Sequence, residues 1–320
     1  MIFLLKKITR LPGTRLVLLL LLEMAVLPFG KCLAGPPPLV EIHLKPLTLY
    51  QGGLTLLEIK LGEKDKPEVI WLESSLPVFY NNSAALWYGF LSADLRETPG
   101  KKTILVRDPF TMSVQELEIE VKEKDYGVRR LTLPKRMVDL DESTLKRIRK
   151  ESAIMKKAFE SRLSAPLWRG AFIKPVPGEI VGPFGRRSII NGETRSPHTG
   201  VDLKGPYGTP VKAMNNGKVI LTGDHFFAGR LVVIDHGGGI QSMYFHMEKL
   251  LVQSGQLIKK GDVIGLIGST GRATGPHLHL GIRVNGCRVD PMRLTAISGS
   301  ISFRDGMTAK NPSHAAGSGR

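Results

Sequence analysis

Cysteine is scarce in this chain of 320 residues, which has only Cys32 and Cys287. If a segment that includes Cys32 is removed, one thiol remains and no intramolecular disulfide can form. Stability must then come from packing or from a metal ion. A long apolar run is also missing, because Glu23 and Pro28 interrupt "LVLLLLLEMAVLPFG" and leave it too short for a comfortable membrane span.

The first residues predict export. Four basic residues precede or open the apolar run: Lys6, Lys7, Arg10 and Arg15. The run is followed by "KCLAG", whose small residues indicate cleavage after Ala34. We therefore expect residues 1–34 to be a secretory signal and the protein to lie in the periplasm or cell envelope. Without cleavage, the same segment would anchor the chain to the inner membrane.

Acidic residues are outnumbered, 29 Asp and Glu against 45 Lys and Arg, and the net charge is +16. Cleavage after Ala34 would remove five basic residues and one acidic residue and leave a charge of +12. A basic exported protein suits an anionic polymer or membrane surface. No nucleic-acid-binding motif is recognisable, so we expect no nucleic acid partner and favour a polymer of the cell envelope.

Two segments precede the part of the chain that is rich in histidine. Residues 35–126 contain about seven short alternating runs separated by turns such as "QGG" and "ETPGKK", which predicts a β-sandwich of immunoglobulin-like size. We expect this segment to be a spacer or to bind envelope proteins. Residues 127–166 predict a linker that contains an amphipathic helix, with Asp141 as its cap. The apolar stripe comprises Leu145, Ile148, Met155, Phe159 and Leu163.

Residues 167–296 consist of strands punctuated by glycine, with almost no helical periodicity. This pattern predicts a mainly β protein whose C-terminal domain is an antiparallel sheet. The last segment, 297–320, is polar and rich in Gly and Ser, and we expect a disordered tail.

The C-terminal half carries a cluster of potential metal ligands. His277 and His279 lie two residues apart in "GPHLHL", and alternate residues of a strand share a face. His198 and Asp202 lie four residues apart in "PHTGVDL", and His246 ends "SMYFH". A catalytic zinc ion takes three nitrogen or oxygen ligands and leaves one position open. Each motif alone could be structural, but together they predict a metal site.

Four motifs, "PHTGVDL", "GTPVKAMNNGKV", "IDHGGGIQSMYFHM" and "GDVIGLIGSTGRATGPHLHLGI", resemble the lysostaphin/LytM-type zinc metallopeptidases of peptidoglycan. The resemblance covers about residues 178–294 and preserves the order of the motifs. It implies Zn2+ bound by His198, Asp202 and His279, with His246 and His277 as catalytic residues. It also implies a small antiparallel β-sheet domain with the metal in a groove.

This chain departs from the family pattern at a few places beside these residues. Ser242 stands where Thr is common, Met247 where Leu is common, and "LGIRV" follows where an aromatic and an acidic residue often stand. The five functional positions are intact, which favours an enzyme.

The resulting hypothesis is a zinc endopeptidase that cleaves stem peptides or cross-links of peptidoglycan, through diaminopimelate and D-alanine or through glycine bridges. A protein that binds peptidoglycan or activates another wall hydrolase without cleaving is the alternative. In either case we expect the substrate groove to include Arg186, Arg187, Arg195 and Tyr244, since arginine forks bind carboxylates.

Overall fold

The structure is a computed structural model that describes residues 40–132, 140–160 and 162–301. The predicted signal, residues 1–34, and the predicted tail beyond residue 301 lie outside these ranges. Within them, no helix has both the length and the apolar character needed to cross a membrane.

Nine strands near the N-terminus, residues 41–122, form what we call the N-terminal module. They are β1 (Glu41–Lys45), β2 (Leu49–Tyr50), β3 (Leu54–Lys60), β4 (Glu68–Trp71), β5 (Ser74–Ser75), β6 (Val78–Asn81), β7 (Leu86–Ser92), β8 (Gly100–Arg107) and β9 (Val114–Lys122). One sheet has the order β1-β3-β7-β6 and the other β2-β9-β8-β4-β5. Alternating apolar residues bury one face of each sheet in a common core that includes Ile59, Trp71, Trp87, Ile104 and Val121. The immunoglobulin-like classification stays a prediction.

The predicted linker contains two regular elements, strand β10 (Val128–Leu131) and helix α1 (Glu142–Glu160). Asp141 caps the helix as predicted, since its Oδ1 accepts a hydrogen bond from the Thr144 amide at 2.7 Å. Strand β10 pairs in parallel with a strand of the C-terminal part, so residues 128–131 are part of a sheet and not a free connection.

The C-terminal part is mainly β, as predicted. Its strands are β11 (Ile180–Gly182), β12 (Arg187–Ile190), β13 (Glu193–Arg195), β14 (Gly200–Lys204), β15 (Pro210–Lys212), β16 (Gly217–His225), β17 (Gly229–Gly237), β18 (Ile240–Leu250), β19 (Leu257–Ile258), β20 (Val263–Ile267), β21 (His277–Val284) and β22 (Cys287–Val289). The main sheet has the order β11-β14-β21-β18-β17-β16-β19, with β15, β20 and β22 attached. A small sheet, β10-β12-β13, lies beside it.

The two faces of the main sheet differ in the side chains that they carry. One face buries apolar side chains such as Val201, Leu203 and Leu280 in the core. Alternation places Asp202 and His279 on the opposite face, which we call the site face. Helix α1 also lies on the site face, where Met155 and Phe159 pack against a small cluster formed by Leu231, Val233 and Met243.

The last regular element among the described residues is helix α2 (Pro291–Ser300). Asp290 is its N-cap and accepts a hydrogen bond from the Met292 amide at 2.9 Å, while Pro291 occupies the first turn. Ile297 and Ser298 are buried. The predicted disordered tail was therefore wrong for residues 297–300, because apolar contacts with the sheet compensate for their weak helical composition.

Candidate metal centre

Three predicted ligands meet at one point on the site face. Asp202 in β14 and His279 in β21 are direct cross-strand partners, and His198 lies in the turn that leads into β14. The His198 Nε2 atom is 3.0 Å from both Asp202 Oδ1 and His279 Nδ1. His279 Nδ1 is 2.9 Å from Asp202 Oδ1. The strand pairing therefore brings together residues that are 77 positions apart.

The donor set fits a metal ion. Ligands held at about 2.0–2.1 Å by a tetrahedral zinc ion are about 3.3 Å apart, close to the separations found here. The His198 Nδ1 atom lies 3.0 Å from the Pro183 carbonyl oxygen, so Nδ1 carries the proton of the neutral ring. Its Nε2 lone pair then faces the Asp202 carboxylate, and two lone pairs at this distance repel unless a cation lies between them.

The protonation states of the cluster suit ligation. Burial raises the pKa of the Asp202 carboxyl, but when no cation is bound, N–H groups of His198 and His279 donate hydrogen bonds to it and hold the pKa well below its usual range. Burial lowers the pKa of His279 and favours the neutral imidazole. A carboxylate and a neutral imidazole are the forms that bind metals.

The backbone beside the cluster leaves no space for a side chain at Gly200. A Cβ atom at Gly200 would lie 2.7 Å from His279 Nε2 and 2.3 Å from the Leu280 carbonyl oxygen. Any other residue at position 200 would displace the ligand, so glycine is required by the close approach of β14 and β21.

The two predicted catalytic histidines lie beside the ligands. The rings of His246 and His277 have centroids 4.8 Å apart, and His277 Nε2 is 3.8 Å from Asp202 Oδ1. Each Nδ1 atom faces a carbonyl oxygen, that of Thr270 at 2.9 Å for His246 and that of Gly275 at 2.8 Å for His277. These contacts place the proton on Nδ1 and leave Nε2 free to accept a proton.

His246 reaches the site through an unusual backbone conformation. Its neighbour Phe245 is the cross-strand partner of His279 and stacks on that ring, with centroids 5.2 Å apart and planes 11° apart. In a regular strand His246 would point to the other face. A φ of +63° turns it back toward the site. Burial then lowers the pKa of His246 to about 4, so the ring is neutral at pH 7.

The predicted groove residues are placed differently. Tyr244 is wholly buried on the core face, where its hydroxyl accepts a hydrogen bond from the Met214 amide, so its assignment to the groove was wrong. Strand alternation explains the error, since residue 244 and Phe245 point to opposite faces. The backbone oxygen of Arg186 accepts a hydrogen bond from the His198 amide at 3.0 Å, and Arg195 pairs with Glu193. A role of Arg186, Arg187 and Arg195 in the groove stays a prediction.

Sequence reasoning missed the groups that orient the histidines. Phe245 and the carbonyl groups of Pro183, Thr270 and Gly275 all contact site residues. Phe245 could have been suspected from its place immediately before His246. The carbonyl groups have no signal in residue type, because every residue carries one.

Three converging ligands and two further histidines on one face of an antiparallel sheet define the centre of a metal-dependent hydrolase. Residues 196–291 match the profile of peptidase family M23. A solved structure assigned to peptidase M23 from Pseudomonas aeruginosa is 31% identical, with a TM-score of 0.62, and the match covers 77% of this chain and 94% of that one. The chain belongs to peptidase family M23.

Two curated relatives match the C-terminal part. The peptidoglycan DD-endopeptidase ShyA of Vibrio cholerae is 46% identical over 98 residues, which are 31% of this chain and 23% of ShyA. The DD-carboxypeptidase/endopeptidase Mpg of Neisseria meningitidis is 40% identical over 139 residues, 43% of this chain and 32% of Mpg. The chain thus matches less than a third of the length of each.

Proposed function

We propose that this protein is an exported zinc metallo-endopeptidase that hydrolyses peptide bonds in the stem peptides or cross-links of peptidoglycan. The convergence of His198, Asp202 and His279 beside two further histidines carries the proposal. The relatives ShyA and Mpg, both named for DD-peptidase activity, support a bond between D-configured residues as the target.

His198 Nε2, Asp202 Oδ1 and His279 Nδ1 would hold the zinc ion. When bound, zinc lowers the pKa of a water molecule toward neutrality and polarises the scissile carbonyl. The side chains of His198, Asp202 and His279 are 16%, 16% and 12% exposed, so the three ligands are mostly buried but remain open to solvent.

His246 and His277 would handle the proton and the developing charge. Both rings present Nε2 toward the site because their Nδ1 atoms are bound to carbonyl oxygens. Either ring can accept a proton from the attacking water at Nε2, and a ring that carries a proton there donates a hydrogen bond to the oxyanion. The backbone of the loop that contains Thr270 and Gly275 holds both rings in place.

The test compares cleavage of purified peptidoglycan by the parent and by His277→Ala and His279→Ala, with zinc content measured in each. We expect the His277→Ala protein to keep zinc and to lose at least about 100-fold in turnover, since it lacks a proton-handling group. His279→Ala should lose both zinc and turnover. His43→Ala is the matched control, because His43 is an exposed residue of the N-terminal module.

New muropeptide ends released by the parent and by His43→Ala identify the bond that is cut. Zinc in the parent without any cleavage would contradict the endopeptidase and favour the binding or activating role. Loss of zinc from His277→Ala would contradict the division between ligands and catalytic residues.

A further inference from the structure

A large cleft of about 870 Å³ lies between the N-terminal module and the C-terminal part. We call it the junction cleft. Its lining comprises Gln51, Leu95, Arg96, Glu123, Lys124, Asp125, Tyr126, Gly127, Val128, Gly185, Arg187, Thr194, Arg195 and Pro197. Two of these residues adjoin the metal centre, because Pro197 precedes His198 and the Gly185 amide donates to the His198 carbonyl oxygen at 2.8 Å.

Two arginines from different parts of the fold, Arg96 and Arg187, line this cleft. Arg96 belongs to the N-terminal module, and its Nη2 donates to Ser196 Oγ at 3.1 Å. Arg187 is the first residue of β12, whose next residue, Ser188, pairs with Arg195 of β13. Arg96 therefore contacts the residue two positions before the ligand His198, and Arg187 lines the same cleft.

Basic residues outnumber acidic residues in the lining of the cleft, four against two. Among the residues that the structure describes, no carboxylate forms an ion pair with Arg96 or Arg187, whereas Arg195 is paired with Glu193. Glu123 and Asp125 line the cleft from the segment between β9 and β10. Asp125 Oδ1 accepts a hydrogen bond from the Gly127 amide. Two guanidinium groups that line one cleft and have no carboxylate partner form a site suited to a carboxylate.

The walls of the cleft are firmly connected. Strand β10 pairs with β12, and the Tyr126 ring lies edge-on to Phe184 with centroids 5.5 Å apart. The Tyr126 hydroxyl donates to the Gln51 carbonyl oxygen at 2.7 Å. The backbone walls of the cleft are therefore formed before a ligand arrives, which reduces the entropy lost on binding.

We propose that Arg96 and Arg187 bind a carboxylate of the peptide strand that the metal centre acts on. This inference rests on the proposed function and extends it. The guanidinium groups act as paired forks for a carboxylate, and the N-terminal module thereby supplies part of the substrate site. A peptide whose carboxylate is fixed here runs past Pro197 to the metal centre.

The test measures binding without cleavage. The purified protein is titrated with a soluble disaccharide–tetrapeptide fragment of peptidoglycan and with the same fragment after conversion of its carboxylates to amides. We expect amidation to weaken binding by roughly tenfold or more, since hydrogen bonds between charged groups are lost. The Arg96→Gln/Arg187→Gln double variant should bind the acidic fragment correspondingly less tightly and should no longer distinguish it from the amide.

The matched control is Arg107→Gln/Arg149→Gln, which removes two exposed arginines outside the cleft. This control should bind the acidic fragment more tightly than the amidated one, as the parent does. The inference is overturned if the cleft variant discriminates like the parent, if the control loses discrimination equally, or if the parent binds neither fragment. Melting temperatures verify that all variants fold. Because tetrapeptide binding needs no turnover, its outcome is separate from that of the cleavage test.

Discussion

At the scale of single residues, His246 shows how backbone conformation decides function. The sequence places it next to Phe245, and ordinary strand geometry would send the two side chains to opposite faces. A left-handed backbone brings both to the site, at an energetic cost of about 1–2 kcal/mol for a residue with a Cβ. The backbone amide of His246 donates to the Ala228 carbonyl oxygen at 2.8 Å and helps to hold this conformation.

His236 is a different kind of histidine, since it serves structure and has no contact with the metal ligands. It is wholly buried, and its Nδ1 and Nε2 atoms are each 2.7 Å from a partner, the Asn216 carbonyl oxygen and Ser242 Oγ. Burial lowers its pKa from 6.5 to about 4 despite the hydrogen bond to Asn216. The folded protein therefore holds this ring neutral.

The His236 site predicts a loss of stability in acid. Between pH 6.5 and about 4 the unfolded chain binds a proton that the folded chain excludes, so the free energy of unfolding falls as the pH falls. We expect the parent to lose up to about 1.4 kcal/mol per pH unit relative to His236→Gln in this window. Urea unfolding at pH 7, 6 and 5 measures the free energy of unfolding of both proteins. The same dependence on pH in the two proteins would contradict the prediction.

At the scale of elements, helix α1 is tied to the site face by a few specific contacts. None of its residues is fully buried, which agrees with the strongly charged sequence around its apolar stripe. The Phe159 ring lies 4.4 Å from the Arg283 guanidinium. Glu151 Oε2 accepts a hydrogen bond from the Phe226 amide at 2.8 Å in the turn between β16 and β17.

Glu151→Ala should loosen α1, because it leaves the Phe226 amide and the Arg147 side chain without their acceptor. We expect a loss of about 1–3 kcal/mol in stability, concentrated in the helix. Hydrogen exchange followed by mass spectrometry should show faster exchange in residues 142–160. Glu151→Gln, which keeps an acceptor oxygen, should retain most of the protection. Equal exchange in both variants would show that the charge, and not the acceptor, holds the helix.

At the scale of the whole molecule, the N-terminal module and the C-terminal part share a core and belong to one compact unit. Phe90 of the module lies 5.9 Å from Trp168 between ring centroids. Ser92 Oγ donates to the Val284 carbonyl oxygen at 2.9 Å, and Asp94 pairs with Arg288 at 2.8 Å. We therefore expect the two parts to unfold together.

Asp94→Ala tests this coupling, because it leaves the half-buried Arg288 without its partner. The expected loss is about 2–3 kcal/mol in the free energy of unfolding. Tryptophan fluorescence and far-ultraviolet circular dichroism should give coincident urea transitions at a lower midpoint. The Asp94→Asn protein, which keeps an acceptor oxygen, should have a free energy of unfolding between those of Asp94→Ala and the parent. Two separate transitions in the parent would contradict the shared core.

The sequence by itself determined the strand-rich class, the capped helix after Asp141 and the metal-ligand motifs, because alternation, capping and ligand chemistry are local properties of residue type. The tertiary structure decided which faces those residues occupy. It buried Tyr244 and turned His246 into the site. It also extended helix α2 through Ser300 and brought Arg96 to Ser196 across 100 positions. These features depend on strand register and long-range packing, which no local pattern encodes.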